Sequence, residues 1–261
     1  MMPDHADDTS NMHPGYEGVG PFYDLFVDNS DLPFYLQYAR QKGSPILDLA
    51  AGTGRVTFML AREGFKVVAL EESLSMLDVA QEKLNQEPLN SAERITLIRG
   101  DMTNFELKQK FNLIIIPASF GHALTTDTQL TTLKCIFNHL DDDGLFILDV
   151  FPGALQHEHA TFVDGPVFLP DNTTVERHGE IFSNFLNQIM RVNLRYIVRD
   201  GNQNIIKDVR VVSSAALLFN REVDLLLQLT KFEVVEELGS FEGEAYSPES
   251  VRRLLILQKR I

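Results

Sequence analysis

The chain has 261 residues, 44% hydrophobic and 23% charged, the balance of an ordinary globular protein long enough to bury a sizeable core. Its 37 acidic and 23 basic side chains give a formal charge of −14 with no basic run to neutralise phosphates, so nucleic acid and anionic membrane surfaces are excluded as expected partners. The single cysteine, Cys135, excludes an internal disulfide or a thiolate metal cluster, and no stretch reaches the ~18 apolar residues of a membrane span.

Residues 1–14 are polar and acidic and are expected to be mobile. The opening Met-Met-Pro-Asp-His-Ala-Asp-Asp lacks the basic and apolar regions of a secretory signal, so a cytoplasmic protein is expected. A helical pattern follows over Pro33–Gln41, with Asp31 as its cap. Strands and helices then alternate: strand Pro45–Ala50, helix Arg55–Arg62 stopped by Gly64, strand Lys66–Leu70, helix Leu74–Asn85 capped by Ser73, and strand Ile95–Arg99. Strand Asn112–Pro117, helix Gln129–Leu140, a turn over Asp141–Gly144 and strand Leu145–Val150 complete the series. This rhythm predicts an α/β fold with a doubly wound, mostly parallel sheet.

After residue 150 the rhythm changes. Residues 151–174 carry three prolines and two glycines and read as an irregular connection. Met190–Val198 alternates at period two, and Asp200-Gly201 turns the chain into a return strand, Ile205–Val212. A helix near Arg221–Lys231 capped by Asn220, a strand Phe232–Glu237 and a closing strand Val251–Gln258 follow. The reading is one domain over 15–261, a seven-stranded sheet with an antiparallel insertion at 151–214 over the active site.

Three signals point to a cofactor site. Residues Pro45–Gly54 form an apolar strand with Asp48 near its end and a small-residue turn carrying Ala50, Gly52 and Gly54. Glu71 ends the second strand, where a carboxylate can accept from ribose hydroxyls. Asp101-Met102 follow the third strand, an acceptor for an adenine amine beside a thioether that packs on rings. Together, Asp-Leu-Ala-Ala-Gly-Thr-Gly-Arg, Val68–Ser73, Gly100–Met102 and the strand ending at Pro117 resemble the motifs of class I S-adenosylmethionine-dependent methyltransferases. The resemblance covers residues 20–150 well and the remainder loosely.

The resemblance implies a seven-stranded Rossmann-like methyltransferase fold with S-adenosyl-L-methionine as cofactor and S-adenosyl-L-homocysteine as product. Asp48, Ala50, Gly52 and Gly54 would line the methionine moiety, with Asp48 near its ammonium. Glu71 would hold the ribose, Asp101 and Met102 would frame the adenine, and Pro117 and Phe120 would lie where methyl meets substrate. Ala50 replaces a glycine often found there, a change expected to cost little if its φ is negative. Phe22-Tyr23-Asp24-Leu25, Asp101–Leu107 and Ser119-Phe120-Gly121-His122 further resemble deoxyamino-sugar N,N-dimethyltransferases. That likeness implies a histidine, His122, beside an accepting amine and an N-terminal tyrosine, Tyr16 or Tyr23, closing over the site.

The expected activity is methyl transfer to a small molecule, an amine nitrogen first, by in-line displacement with His122 as base. O- or C-methylation on the same fold, a non-catalytic cofactor-binding module, and a nicotinamide dehydrogenase are the rivals; Asp48 and Ala50 suit the last poorly, because its turn must welcome pyrophosphate. Phe241, Glu242, Glu244 and Tyr246, in the loop 239–247, suit a cationic amine, against the reading of a solvated hairpin; Tyr246 is taken as a substrate residue. Arg191, Arg195 and Arg199 on one strand face read as an exposed outer surface rather than an anion site. No metal site is expected: His157 and His159 share a side of an extended segment, and a solvated loop is preferred there. The oligomeric state is left as monomer or homodimer.

Overall fold

A computed structural model describes residues 12–151 and 158–260. The two-residue strand β1 (His13–Pro14) leads into the short helix α1 (Gly20–Tyr23) and a 3-10 turn at Asp24–Phe26. Helix α2 (Leu32–Lys42) has Pro33 in its first turn and buries Phe34, Tyr35, Tyr38 and Ala39. Asp31 stands at its N-cap position, but its side chain does not cap the helix; it pairs with Arg55. The alternating series is β2 (Ile46–Leu49), α3 (Arg55–Arg62), β3 (Val67–Glu71), α4 (Leu74–Gln86), α5 (Leu89–Ala92), β4 (Ile95–Arg99), β5 (Phe111–Ile116), α6 (Thr126–His139) and β6 (Leu140–Val150). Ser73 caps α4, accepting from the Met76 N–H. A Thr125–Thr128 capping box starts α6 three residues before the predicted Gln129. The expected turn at Asp141–Gly144 lies within β6, across a register shift against β5.

The central sheet has seven strands in the order β11-β12-β6-β5-β2-β3-β4, its last two in sequence being β11 (Phe232–Leu238) and β12 (Arg253–Lys259). The five strands from β6 to β4 are parallel; β12 runs antiparallel to both of its neighbours. Alternation along β5 explains its unbroken apolar run. Ile114 and Ile116 join a core with Leu47, Leu49, Phe146 and Leu148, while Leu113 and Ile115 join another with Phe34, Tyr35, Val56 and Leu60. Both faces of the sheet are covered, so Leu113–Ile116 are all apolar.

A second sheet follows β6. Its strands are β7 (His159–Phe168), β8 (Thr174–Asn184), β9 (Ile189–Arg199) and β10 (Ile205–Ala216), in the order β1-β10-β9-β8-β7. Its four long strands are antiparallel, and β1 adds to β10 in parallel. Three expectations are corrected here. The insertion is a sheet of its own rather than a hairpin, residues 159–168 are a strand rather than irregular, and His13–Pro14 is paired rather than mobile. The other residues of the expected mobile start, 1–11, lie outside the described residues. Val175, Leu194, Tyr196, Val198, Val209 and Val211 pack with Val19, Phe22 and Met76 into a third core, which joins this sheet to α1 and the start of α4. Helix α7 (Asn220–Leu229) returns the chain to the central sheet.

Candidate active site

From β2 the chain runs outward to β3 and β4 before returning to β5 on the other side. The carboxyl ends of β2 and β5 therefore flank a topological switch point, where open sheets bind ligands. A cavity of about 560 Å³ lies there. Tyr23, Asp48, Ala50, Gly52, Glu71, Pro117, Tyr16 and His122 all line it.

Burial shapes the chemistry. Asp48 is 1% exposed, and its Oδ2 accepts from the Thr57 hydroxyl at 2.6 Å. Burial pushes its carboxyl up to about 7. Glu71 ties the turn to β3: one oxygen accepts from the Gly52 N–H and the other from the Ser73 N–H, both at 2.8 Å. Gly52 has φ +58, and a Cβ built there meets nothing within 4 Å, so its missing side chain leaves space on the cavity wall. Thr53 donates to Asp24 at 2.6 Å, and Lys83 joins Asp24 at 2.5 Å, clamping the turn to the N-terminal segment and α4.

Ala50 corrects an expectation. Its φ is +52, so the alanine sits in left-handed backbone that costs about 1–2 kcal/mol. Ala118, after β5, has φ +50, and its N–H donates to Asp149 Oδ2 at 3.1 Å.

His122 lies on a 3-10 turn after β5. Its Nδ1 is 3.0 Å from the Ser214 carbonyl of β10, an acceptor only, so Nδ1 carries the proton and Nε2 of the neutral ring is left as acceptor. Tyr16 meets the imidazole edge-on at 5.8 Å and Tyr23 at 5.6 Å. Burial raises both phenols above their ordinary range. A second cavity of about 390 Å³ shares Tyr16, Ala118, His122, Asp149, Ile181 and Val192 with the first.

Other expected residues fall elsewhere. Gly54 is the N-cap of α3 and Asp101 accepts from Thr103 through its carboxylate; neither lines the cavity. Met102, 7% exposed, and Phe120, 1% exposed, belong to the core. Tyr246 accepts from Asn220 and lies under Arg253, away from both cavities; from that loop it is Phe241 that reaches the wall. His159 stacks on Phe182 and contacts Glu180, and His157 lies outside the described residues. Arg195 pairs with Asp208, Arg199 donates to the Gln203 carbonyl, and Arg191 lies over Phe182.

The sequence reading missed Asp149 and Arg252. Asp149 is 2% exposed on β6; Arg252 Nη1 donates to its Oδ2 at 2.6 Å, while the guanidinium lies 4.0 Å from the Phe241 ring centre. Burial pushes Asp149 up to about 6. The signal that singled out Asp48, an acid near the end of an apolar strand, is repeated in Leu145–Val150.

Residues 46–144 match the family described as methyltransferase domain. YqeM of Bacillus subtilis (strain 168), named as a methyltransferase, is 29% identical over 64% of this chain, and the match spans 64% of its own length, under two thirds. The dTDP-3-amino-3,4,6-trideoxy-alpha-D-glucopyranose N,N-dimethyltransferase of Streptomyces venezuelae is 28% identical over 67% of this chain and 68% of that protein. The solved CcbJ methyltransferase from Streptomyces caelestis superposes with a TM-score of 0.76 at 20% identity, covering 93% of this chain and 96% of that one, a likeness of fold. The matched stretch carries the glycine turn and Glu71, and the chain is similar in sequence to methyltransferases and in fold to solved ones.

Proposed function

We propose that the chain transfers a methyl group from S-adenosyl-L-methionine to an amine nitrogen of a small molecule in the cytoplasm, with His122 as the base. The residues at the switch point fit this cofactor. Asp48 is a buried acid whose hydrogen bonds among the described residues come from Thr57, with no salt-bridge partner there, so a cationic ammonium suits it. The glycine turn offers open space, and both oxygens of Glu71 keep lone pairs for ribose hydroxyls. When bound, the cofactor supplies an electrophilic methyl on a sulfonium. No phosphate needs a cradle, which suits a wall whose arginines are already paired with acids, Arg55 with Asp31, Arg177 with Asp164 and Arg252 with Asp149.

The observation that carries the acceptor reading is His122, with its proton held on Nδ1 by Ser214 and its ring on the wall common to both cavities. An ammonium gives one proton to Nε2. The freed nitrogen lone pair would accept the methyl that the bound cofactor supplies, the sulfur leaving with its electron pair, and His122 would pass the proton to solvent. Tyr16 and Tyr23, half-buried and neutral, shape the wall. The amino-sugar dimethyltransferase among the relatives supports nitrogen as the acceptor atom.

The test is His122→Asn assayed against amine acceptors, with the methylated atom located by mass spectrometry. The rate is expected to fall about 10²–10⁴-fold, with S-adenosylhomocysteine affinity within twofold of wild type. Methyl found on oxygen or carbon, or an undiminished rate, would overturn the assignment.

A further inference from the structure

The second cavity identifies the acceptor more narrowly, on the strength of the methyl-donor reading above. Beyond the wall it shares with the first, it is lined by Val150, Met190, Leu217 and Leu218, with Ser213 and Ser214 of β10. The Ser214 carbonyl is hydrogen-bonded to His122 Nδ1. Among its described lining residues, the only buried side-chain polar atom without a hydrogen-bond partner is Asp149 Oδ1; Oδ2 serves Ala118 and Arg252. A lone carboxylate oxygen in apolar walls asks for a donor.

No lysine or arginine lines this cavity, and the residues outside the described ones contain neither. Arg252, beside it, is committed to Asp149 and to the rings of Phe241 and Phe151. A phosphate or diphosphate placed here would lose its hydration, meet no cation and face a carboxylate. We infer that this chamber takes a small, largely apolar, phosphate-free amine, whose N–H donates to Asp149 Oδ1 beside His122. Charge-assisted hydrogen bonding holds the nitrogen, and the aliphatic wall takes the rest of the molecule.

The experiment titrates the protein, saturated with S-adenosylhomocysteine, with 2-phenylethylamine, 2-phenylethanol and a thymidine-diphosphate-linked amino sugar, by calorimetry. Wild type, Asp149→Asn and Ala215→Phe are compared. In wild type the amine is expected to bind at least tenfold more tightly than the alcohol, and the sugar nucleotide to give no heat. Asp149→Asn should erase the preference for amine over alcohol while holding S-adenosylhomocysteine affinity within twofold. Ala215→Phe, which fills the chamber without touching the acid, should weaken amine and alcohol alike at unchanged cofactor-product affinity. Equal binding of amine and alcohol by wild type, an intact preference in the Asn variant, no effect of Ala215→Phe, or tighter binding of the sugar nucleotide would each overturn the proposal. Failure of wild type to bind S-adenosylhomocysteine is a separate result, and it would overturn the methyl-donor reading together with this one.

Discussion

Asp48 is costly to the empty protein. Its carboxyl is raised from 3.8 to about 7 in the fold, mainly by burial. Between those values the native chain keeps a proton that the unfolded chain has released, so stability falls as pH rises across the window, and the full cost is present above pH 7. Asp48→Asn keeps an acceptor for Thr57 and removes the charge. Its melting temperature without ligand should exceed that of wild type at pH 8, with the gap closing toward pH 4, while its S-adenosylhomocysteine affinity drops at least tenfold. Thermal melts across pH, with calorimetry beside them, check both halves; a variant less stable than wild type at pH 8 would contradict the buried-charge account. The same reasoning has wild-type affinity weakening as pH falls through 7, because an ammonium prefers the ionised partner.

At the scale of elements, α1 depends on closeness to α4. A Cβ at Gly20 would sit 2.1 Å from the Ser75 carbonyl oxygen, backbone that cannot swing aside, and the Gly20 N–H donates to Ser75 Oγ at 3.0 Å. Gly20→Ala should cost about 1–3 kcal/mol in urea unfolding and lower cofactor-product affinity, because α1 carries Tyr23 on the cavity wall; an unchanged midpoint would argue against the close docking. Which elements could be read from sequence follows from burial. Strands β2 and β5 are covered on both faces, so their apolar runs were unmistakable. Among the described strands β7 pairs only with β8 and is largely exposed, and Gly165-Pro166 inside it is tolerated at a sheet edge, so its composition imitates a loop. The site divides in the same way. Asp48, Gly52 and Glu71 sit at strand ends in fixed order, whereas Phe241 and Tyr246, five residues apart in one loop, are aromatics that only the folded chain can tell apart. Ala50 and its positive φ were invisible because alanine gives no notice of the backbone it adopts.

The whole molecule closes its cavity with parts distant in sequence. The N-terminal segment, the carboxyl edge of the central sheet and the second sheet each contribute wall. A ligand there bridges all three, so saturation with S-adenosylhomocysteine at 100 times its Kd should add about 2.7 kcal/mol of stability. Hydrogen exchange should slow together in residues 16–31, 50–54 and 190–198, and stay unchanged over α7 and β11. Protection confined to 50–54 would show that the second sheet does not share in binding. The short pairing of His13 with Val211 and Pro14 with Val212 has a consequence in time. These contacts join chain positions nearly two hundred residues apart, and closing so long a loop is slow. A chain emerging from the ribosome would present its glycine turn long before β10 exists to seat Tyr16 and fix His122. The turn proposed for the donor is thus made early in synthesis, and the strand that holds His122 late.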